Sequence, residues 1–150
     1  MTQITSLSES DVAVMMAIEN SCHSHPMSQK NMLSCFGTRY FNYGLYQADS
    51  LIGFYLAEMA GPDFTLMDIC IAPEYQGQGY AQQLLQHLID QATMRNAESL
   101  FLEVRASNTA AIKLYEKCGF NEMGIRKNYY PAAQGREDAK LMGLMLLPFN

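Results

Sequence analysis

Residues 66–92 constrain this chain more than any other stretch, because an apolar strand, a glycine turn and an amphipathic helix follow one another there without a gap. Apolar residues dominate residues 66–71, and Pro73 lacks the N–H that a central strand needs, so the strand is expected to end at about Ala72. Gln76, Gly77, Gln78, Gly79, Tyr80 and Ala81 come next. From there Ala81, Leu84, Leu85, Leu88, Ile89 and Ala92 recur at i, i+3, i+4, i+7, i+8 and i+11, which is one apolar helix stripe.

A helix that begins directly after a turn leaves its first N–H groups without intrahelical acceptors, and its dipole adds positive potential at the same end. Gly77 and Gly79 carry no side chain to hold an anion away from the backbone, and they accept positive φ where the chain turns sharply. Such a turn suits a phosphate, although two glycines can also serve a strand-to-helix turn for geometry alone. Two glycine loops are excluded. A dinucleotide-binding loop needs a third glycine near Gln82, and a P-loop needs Gly-Lys-Ser/Thr.

With 150 residues, 49% of them apolar, the chain can fill one well-buried core and falls short of two typical domains, so one domain over residues 1–150 is expected. No linker, charge block, low-complexity run or repeat divides it. The net charge of −5 argues against a nucleic-acid-binding surface and suits a cationic partner. Cys22, Cys35, Cys70 and Cys118 form neither a CxxC pair nor a disulfide framework, which points to the reducing cytoplasm. Neither a basic-then-apolar leader nor an apolar run of the ~20 residues needed for a membrane span is present, so export and membrane insertion are not expected. Nothing in the sequence specifies an oligomer; a monomer suffices.

In chain order, Ile4 and Leu7 suggest a short strand, and Ser8 or Ser10 can cap a helix carrying Val12, Met15, Met16 and Ile18. Ser28 can cap a second short helix, which Gly37 stops. His23 and His25 lie between these helices; they could bind a metal only with further ligands, and no carboxylate or cysteine cluster surrounds them in the sequence, so no metal is expected. Residues 43–47 and 51–59 read as a hairpin leading into the residue 66 strand. After the long helix, residues 99–105 alternate, with Leu100, Leu102 and Val104 on one face and Phe101, Glu103 and Arg105 on the other. Strand, helix and strand over residues 66–104 form a βαβ unit with parallel strands, which puts Glu103 at the end where ligand crevices open. A helix over residues 109–117 ends at Gly119, with Asn108 as an N-cap and Tyr115 two turns on. Residues 120–128 and 139–147 read as two last strands separated by a loop over residues 129–136.

The turn resembles motif A of the Gcn5-related N-acetyltransferases (GNAT), Gln/Arg-x-x-Gly-x-Gly/Ala, which Gln76, Gly79 and Ala81 match. A longer set extends the likeness over nearly the whole chain. It comprises Leu102, Glu103, Val104, Arg105, Ala106, Ser107 and Asn108, then Ala111, Leu114, Tyr115, Gly119 and Phe120, then Asn128, Tyr129, Tyr130, Pro131 and Gly135 to Ala139. These residues are similar to the bacterial ribosomal-protein-alanine N-acetyltransferases, the RimI group. The resemblance implies an α/β (α+β) fold, a mixed, mostly antiparallel sheet with a central parallel βαβ pair and flanking helices. It implies acetyl-CoA as cosubstrate, held by the backbone of Gln76, Gly77, Gln78, Gly79, Tyr80 and Ala81, by Ile69, Cys70 and Ile71 as an added strand, and near Asn108. It further implies Glu103 as general base, Tyr115 as general acid and, as acceptor, the N-terminal alanine of the eighteenth small-subunit ribosomal protein. Asp68 departs from the group, where asparagine is common, and so does Met27, where tryptophan is expected.

Transfer of an acetyl group to an amine needs a neutral nucleophile, a stabilised oxyanion and a proton for the departing thiolate. Glu103, backbone N–H groups near Ile71, and Tyr115 are the candidate groups. Tyr129 and Tyr130 could hold a peptide acceptor through hydroxyl and ring contacts. Motif A specifies the cosubstrate and not the acceptor, so a lysine or small-amine acetyltransferase stays open. A non-catalytic acyl-CoA-binding module would need neither Glu103 nor Tyr115.

Overall fold

The computed structural model describes residues 1–146. The chain runs β1 (Thr2–Ser6), α1 (Val12–Cys22), α2 (Gln29–Leu33), β2 (Tyr40–Gln47), β3 (Ser50–Ala60), β4 (Asp63–Ile71), α3 (Tyr80–Met94), β5 (Ser99–Arg105), α4 (Thr109–Lys117), β6 (Asn121–Pro131) and β7 (Arg136–Met145). The strands form one sheet in the order β1-β2-β3-β4-β5-β7-β6. Among the described residues only β4 and β5 pair in parallel, as the βαβ reading requires; the other neighbours are antiparallel.

That parallel pairing is short. It matches Asp63–Leu66 with Ser99–Leu102 and stops, although β4 continues along β3 to Ile71 and β5 continues along β7 to Arg105. The two halves of the sheet therefore part beyond Leu66 and Leu102, and a wedge opens at the C-terminal ends of β4 and β5. A bulge lies at the point of parting. Leu56 pairs with Asp68 and Ala57 with Leu66, which leaves Met67 as the extra residue that bends β4 away.

The sheet is covered on both faces, and β3 shows how. Tyr55 and Ala57 join the core under α3 and α4, while Phe54 and Leu56 join the core under α1 and α2, as the two-residue period of a strand dictates. The α3 stripe behaves as its spacing predicts: Leu84, Leu85, Leu88 and Ala92 are fully buried. Each buried leucine contributes roughly 1.5–3 kcal/mol. This packing fixes the axis of α3 and with it the direction of the turn at its N-terminus.

Several strands exceed their expected bounds, most consequentially β6. It runs on to Pro131, so Tyr129 and Tyr130 stand on a strand rather than in the loop expected over residues 129–136. Between the pairs Arg126–Ala139 and Tyr130–Glu137 the register shifts, with three residues of β6 opposite one of β7, and Asn128 there adopts a φ of 52°. The Asp138 carboxylate accepts from the Asn128 N–H at 3.0 Å and holds this bulge. A bulge interrupts the alternation that identifies a strand in sequence, which is why the segment reads as a loop. The expected last strand also included Leu147, which lies outside the described residues.

Candidate active site

The wedge forms a cleft of about 890 Å³, whose lining runs from the glycine turn past β4 and β5 to α4 and β6. At one end the wall is main chain. Pro73–Tyr75 form a single 3-10 turn, and the Gln76 side-chain Nε2, which donates to the Ile71 carbonyl at 2.9 Å, ties the turn back to β4. Gly77 and Gly79 have φ of 77° and 86°, a region costly for other residues, and a Cβ on either would meet no atom within 4 Å. Conformation, not crowding, requires glycine here, and the space beside the backbone is open to a ligand. Tyr80 and Ala81 begin α3 and line the cleft with Gln76, Gly77, Gly79, Ile69, Cys70 and Ile71. The Gln78 side chain instead turns to the Glu74 carbonyl, at 3.4 Å, away from the lining.

Glu103 and Tyr115 line the cleft from β5 and α4. Glu103 Oε1 is 3.3 Å from Arg126 Nε, whereas Oε2 is buried and has no hydrogen-bond partner among the described residues. A buried oxygen left this way costs free energy unless a ligand supplies a donor. The Tyr115 ring packs 5.9 Å from that of Phe120, and burial, with Asp68 nearby adding negative charge, pushes its hydroxyl well above the ordinary tyrosine range. Asn108 also lines the cleft, but its Oδ1 accepts from the Ala111 N–H at 3.2 Å, so the side chain is the N-cap of α4.

Tyr129 and Tyr130 form the far wall, their rings 5.0 Å apart and edge to face. Arg105 lies over the Tyr130 ring at 4.6 Å while pairing with Glu137 at 2.9 Å, and Arg136 donates to the carbonyls of Asn128 and Tyr129 at 3.0 and 3.2 Å. Burial first, then the Glu103 charge, pushes the Tyr130 hydroxyl up to about 12. Sequence alone gives these arginines and Arg126 no role; the pairing of β5, β7 and β6 brings them together, with Arg126 beside Glu103.

A second group at the same cleft was also illegible in sequence. His23, just past the end of α1, stands beside Glu19 of its last turn, and Asp68 and Cys70 face it from β4. Burial first, then Asp68 itself, raises the Glu19 carboxyl; burial would raise Asp68 too, but hydrogen bonds from His23 and Glu19 outweigh it and hold Asp68 low. His23 is raised, chiefly by its hydrogen bond to Asp68. The further ligands that His23 lacks in sequence are thus present in space, while His25 contacts Ser24 at 3.3 Å.

Residues 12–120 match the acetyltransferase (GNAT) family. The chain is a member of that family. Among GNAT proteins it is 45% identical over 144 residues to the [ribosomal protein bS18]-alanine N-acetyltransferase of Escherichia coli K12, covering 96% of this chain and 97% of the relative. The protein of the same description from Haemophilus influenzae Rd is 40% identical over 147 residues, covering 97% of this chain and all of the relative. The crystal structure of the ribosomal-protein-S18-alanine N-acetyltransferase from Escherichia coli superposes with a TM-score of 0.96 at 43% identity, covering all of this chain and 97% of that one. The family and the fold expected from motif A are those of this chain.

Proposed function

We propose that this GNAT protein transfers the acetyl group of acetyl-CoA to the N-terminal α-amine of a protein, with the alanine of ribosomal protein bS18 as the acceptor. The relatives described above support the acceptor, and one observation in the site supports the chemistry: Glu103 lines the cleft, and its buried Oε2 has no hydrogen-bond partner among the described residues.

The residues present suit acetyl-CoA. The open space beside Gly77 and Gly79, at the N-terminus of a helix, fits its phosphates. The edge of β4 that leaves β5 offers the backbone of Ile69, Cys70 and Ile71 to its amide-bearing arm. When bound, acetyl-CoA supplies an activated acyl group. The Glu103 carboxylate then takes a proton from the incoming ammonium, directly or through a water, while Arg126 holds its Oε1. The amine nitrogen bonds to the acyl carbon, the carbon–sulfur bond breaks, and Tyr115 gives its phenolic proton to the departing sulfur. A tyrosine raised by burial keeps that proton across the working pH range. An α-amine has a reference pKa of ~7.7–8.0 against ~10.4 for lysine, so it asks less of a carboxylate base.

Mass spectrometry of peptides incubated with the protein and acetyl-CoA tests the proposal. A basic peptide beginning with alanine should be acetylated at its N-terminus. Equal or faster modification of the same peptide with a blocked N-terminus and a free lysine, or of a small polyamine, contradicts it.

A further inference from the structure

We propose that Glu19, His23, Asp68 and Cys70 form a site for a thiophilic divalent cation, of the zinc type, beside the acyl-transfer centre. The four residues come from two places in the fold: Glu19 from the last turn of α1 with His23 just past its end, and Asp68 and Cys70 two apart on β4, so that the latter project to one side and the two pairs meet.

One ligand atom from each residue lies within 4.8 Å of all the others. His23 Nε2 is 3.1 Å from Cys70 Sγ, 3.3 Å from Asp68 Oδ1 and 3.9 Å from Glu19 Oε2; Cys70 Sγ is 3.2 Å from Glu19 Oε1 and 3.7 Å from Asp68 Oδ1. Zinc bonds of ~2.0–2.3 Å place tetrahedral ligands roughly 3.3–3.7 Å apart, which these separations of 3.1–3.9 Å bracket, and a cation at the centre draws in any wider pair. The donor set of one thiolate, one imidazole and two carboxylates selects zinc or cobalt over magnesium or calcium, which prefer oxygen alone. Glu19 is further oriented by the Met27 N–H, which donates to its Oε2 at 2.9 Å, the kind of outer contact that fixes a ligand. Glu19 and Cys70 are buried, while the half-exposed His23 opens on the cleft and gives the ion a way in.

The cluster lines the same cleft as Glu103 and Tyr115. An ion held by His23, which opens on that cleft, takes up room beside the path of an incoming amine, so the bound metal inhibits transfer and does not assist it. This consequence rests on the function proposed above; metal binding does not.

Cobalt(II) titration of the full chain under reducing conditions tests the site. Stoichiometric binding is expected, with a thiolate-to-cobalt charge-transfer band and the strong visible bands of a tetrahedral ion, both removed by added zinc. Cys70→Ala should abolish the charge-transfer band, and His23→Ala and Asp68→Asn should weaken binding at least ~10-fold. Cys22, whose thiol donates to the Ile71 carbonyl at 2.8 Å, serves as the control: Cys22→Ser should keep the band. Absence of saturable binding, or a band that survives Cys70→Ala, overturns the site. If the site binds cobalt but no peptide is acetylated, the proposed function fails and the metal site stands. If peptides are acetylated and zinc leaves their rate unchanged, the inhibitory role is overturned.

Discussion

At the glycine-turn end the cleft is lined by residues close together in the chain, from Ile69 to Gln82, with the open backbone of Gly77 and Gly79 among them, whereas at the other end the lining is drawn from α1, β4, β5, α4 and β6. The first end carries no lysine or arginine; its positive potential comes from N–H groups and a helix N-terminus. The second end holds Glu19, His23, Asp68, Glu103, Tyr129 and Tyr130, with arginines behind them. A backbone-built site tolerates changes of side chain so long as φ and small size are kept, and it suits a cosubstrate shared by a whole family. A side-chain-built site changes with single substitutions, and Asp68 and Met27 both line it.

The contrast can be broken from either end. The largest effect is expected from Tyr115→Phe, which keeps the packing against Phe120 and removes only the proton donor. Turnover should fall by ~10²–10⁴ with acetyl-CoA affinity unchanged, as stopped-flow and calorimetry can show. Near wild-type turnover would hand the donor role to a water or to another group. Next is Gly79→Val. It places a β-branched residue at a φ of 86° and fills the open space, so loss of even one charge-assisted N–H contact should weaken acetyl-CoA binding by ~10- to 10²-fold. Unchanged affinity in calorimetry would mean that the phosphates lie elsewhere.

Smaller effects sharpen the same division. Asn108→Ala removes the cap of α4 and should cost ~1 kcal/mol of stability in denaturant titrations, with little change in acetyl-CoA affinity. A large affinity loss at normal stability would give Asn108 a direct role at the cosubstrate. The pH profile supplies a sign. Burial raises Tyr115, which keeps the donor protonated, so kcat should rise as the amine and base lose protons and then stay level past pH ~10, the ordinary tyrosine value. A falling limb below that pH that disappears in Tyr115→Phe would contradict the assignment.

What the sequence discloses follows the same line. The strand, the turn and α3 are legible because their signals are local: Pro73 ends one element, two glycines mark the turn, and the stripe from Ala81 to Ala92 identifies the helix. Glu103 is legible because alternation over β5 assigns its face. The cluster on His23 is not, since Glu19 and Asp68 are 49 residues apart and meet only through α1 packing across β4. Arg126 is equally hidden, because its partner Glu103 lies two strands away, beyond β7. The bulge at Asn128 disguises the strand that carries Tyr129 and Tyr130. The short parallel pairing, on which the cleft depends, rests on a register that no single segment encodes.

In the proposed function, main chain binds the cosubstrate and two side chains perform the transfer. Glu103→Gln tests it most directly, by pairing the acetyl-CoA dissociation constant with the single-turnover rate on an alanine-initiated peptide. The dissociation constant should hold within about twofold, since Glu103 is not part of the backbone wall, while the rate falls ~10²-fold or more, most strongly at neutral and acidic pH. A rate near that of the unaltered protein, or a parallel loss of affinity and rate, would contradict it.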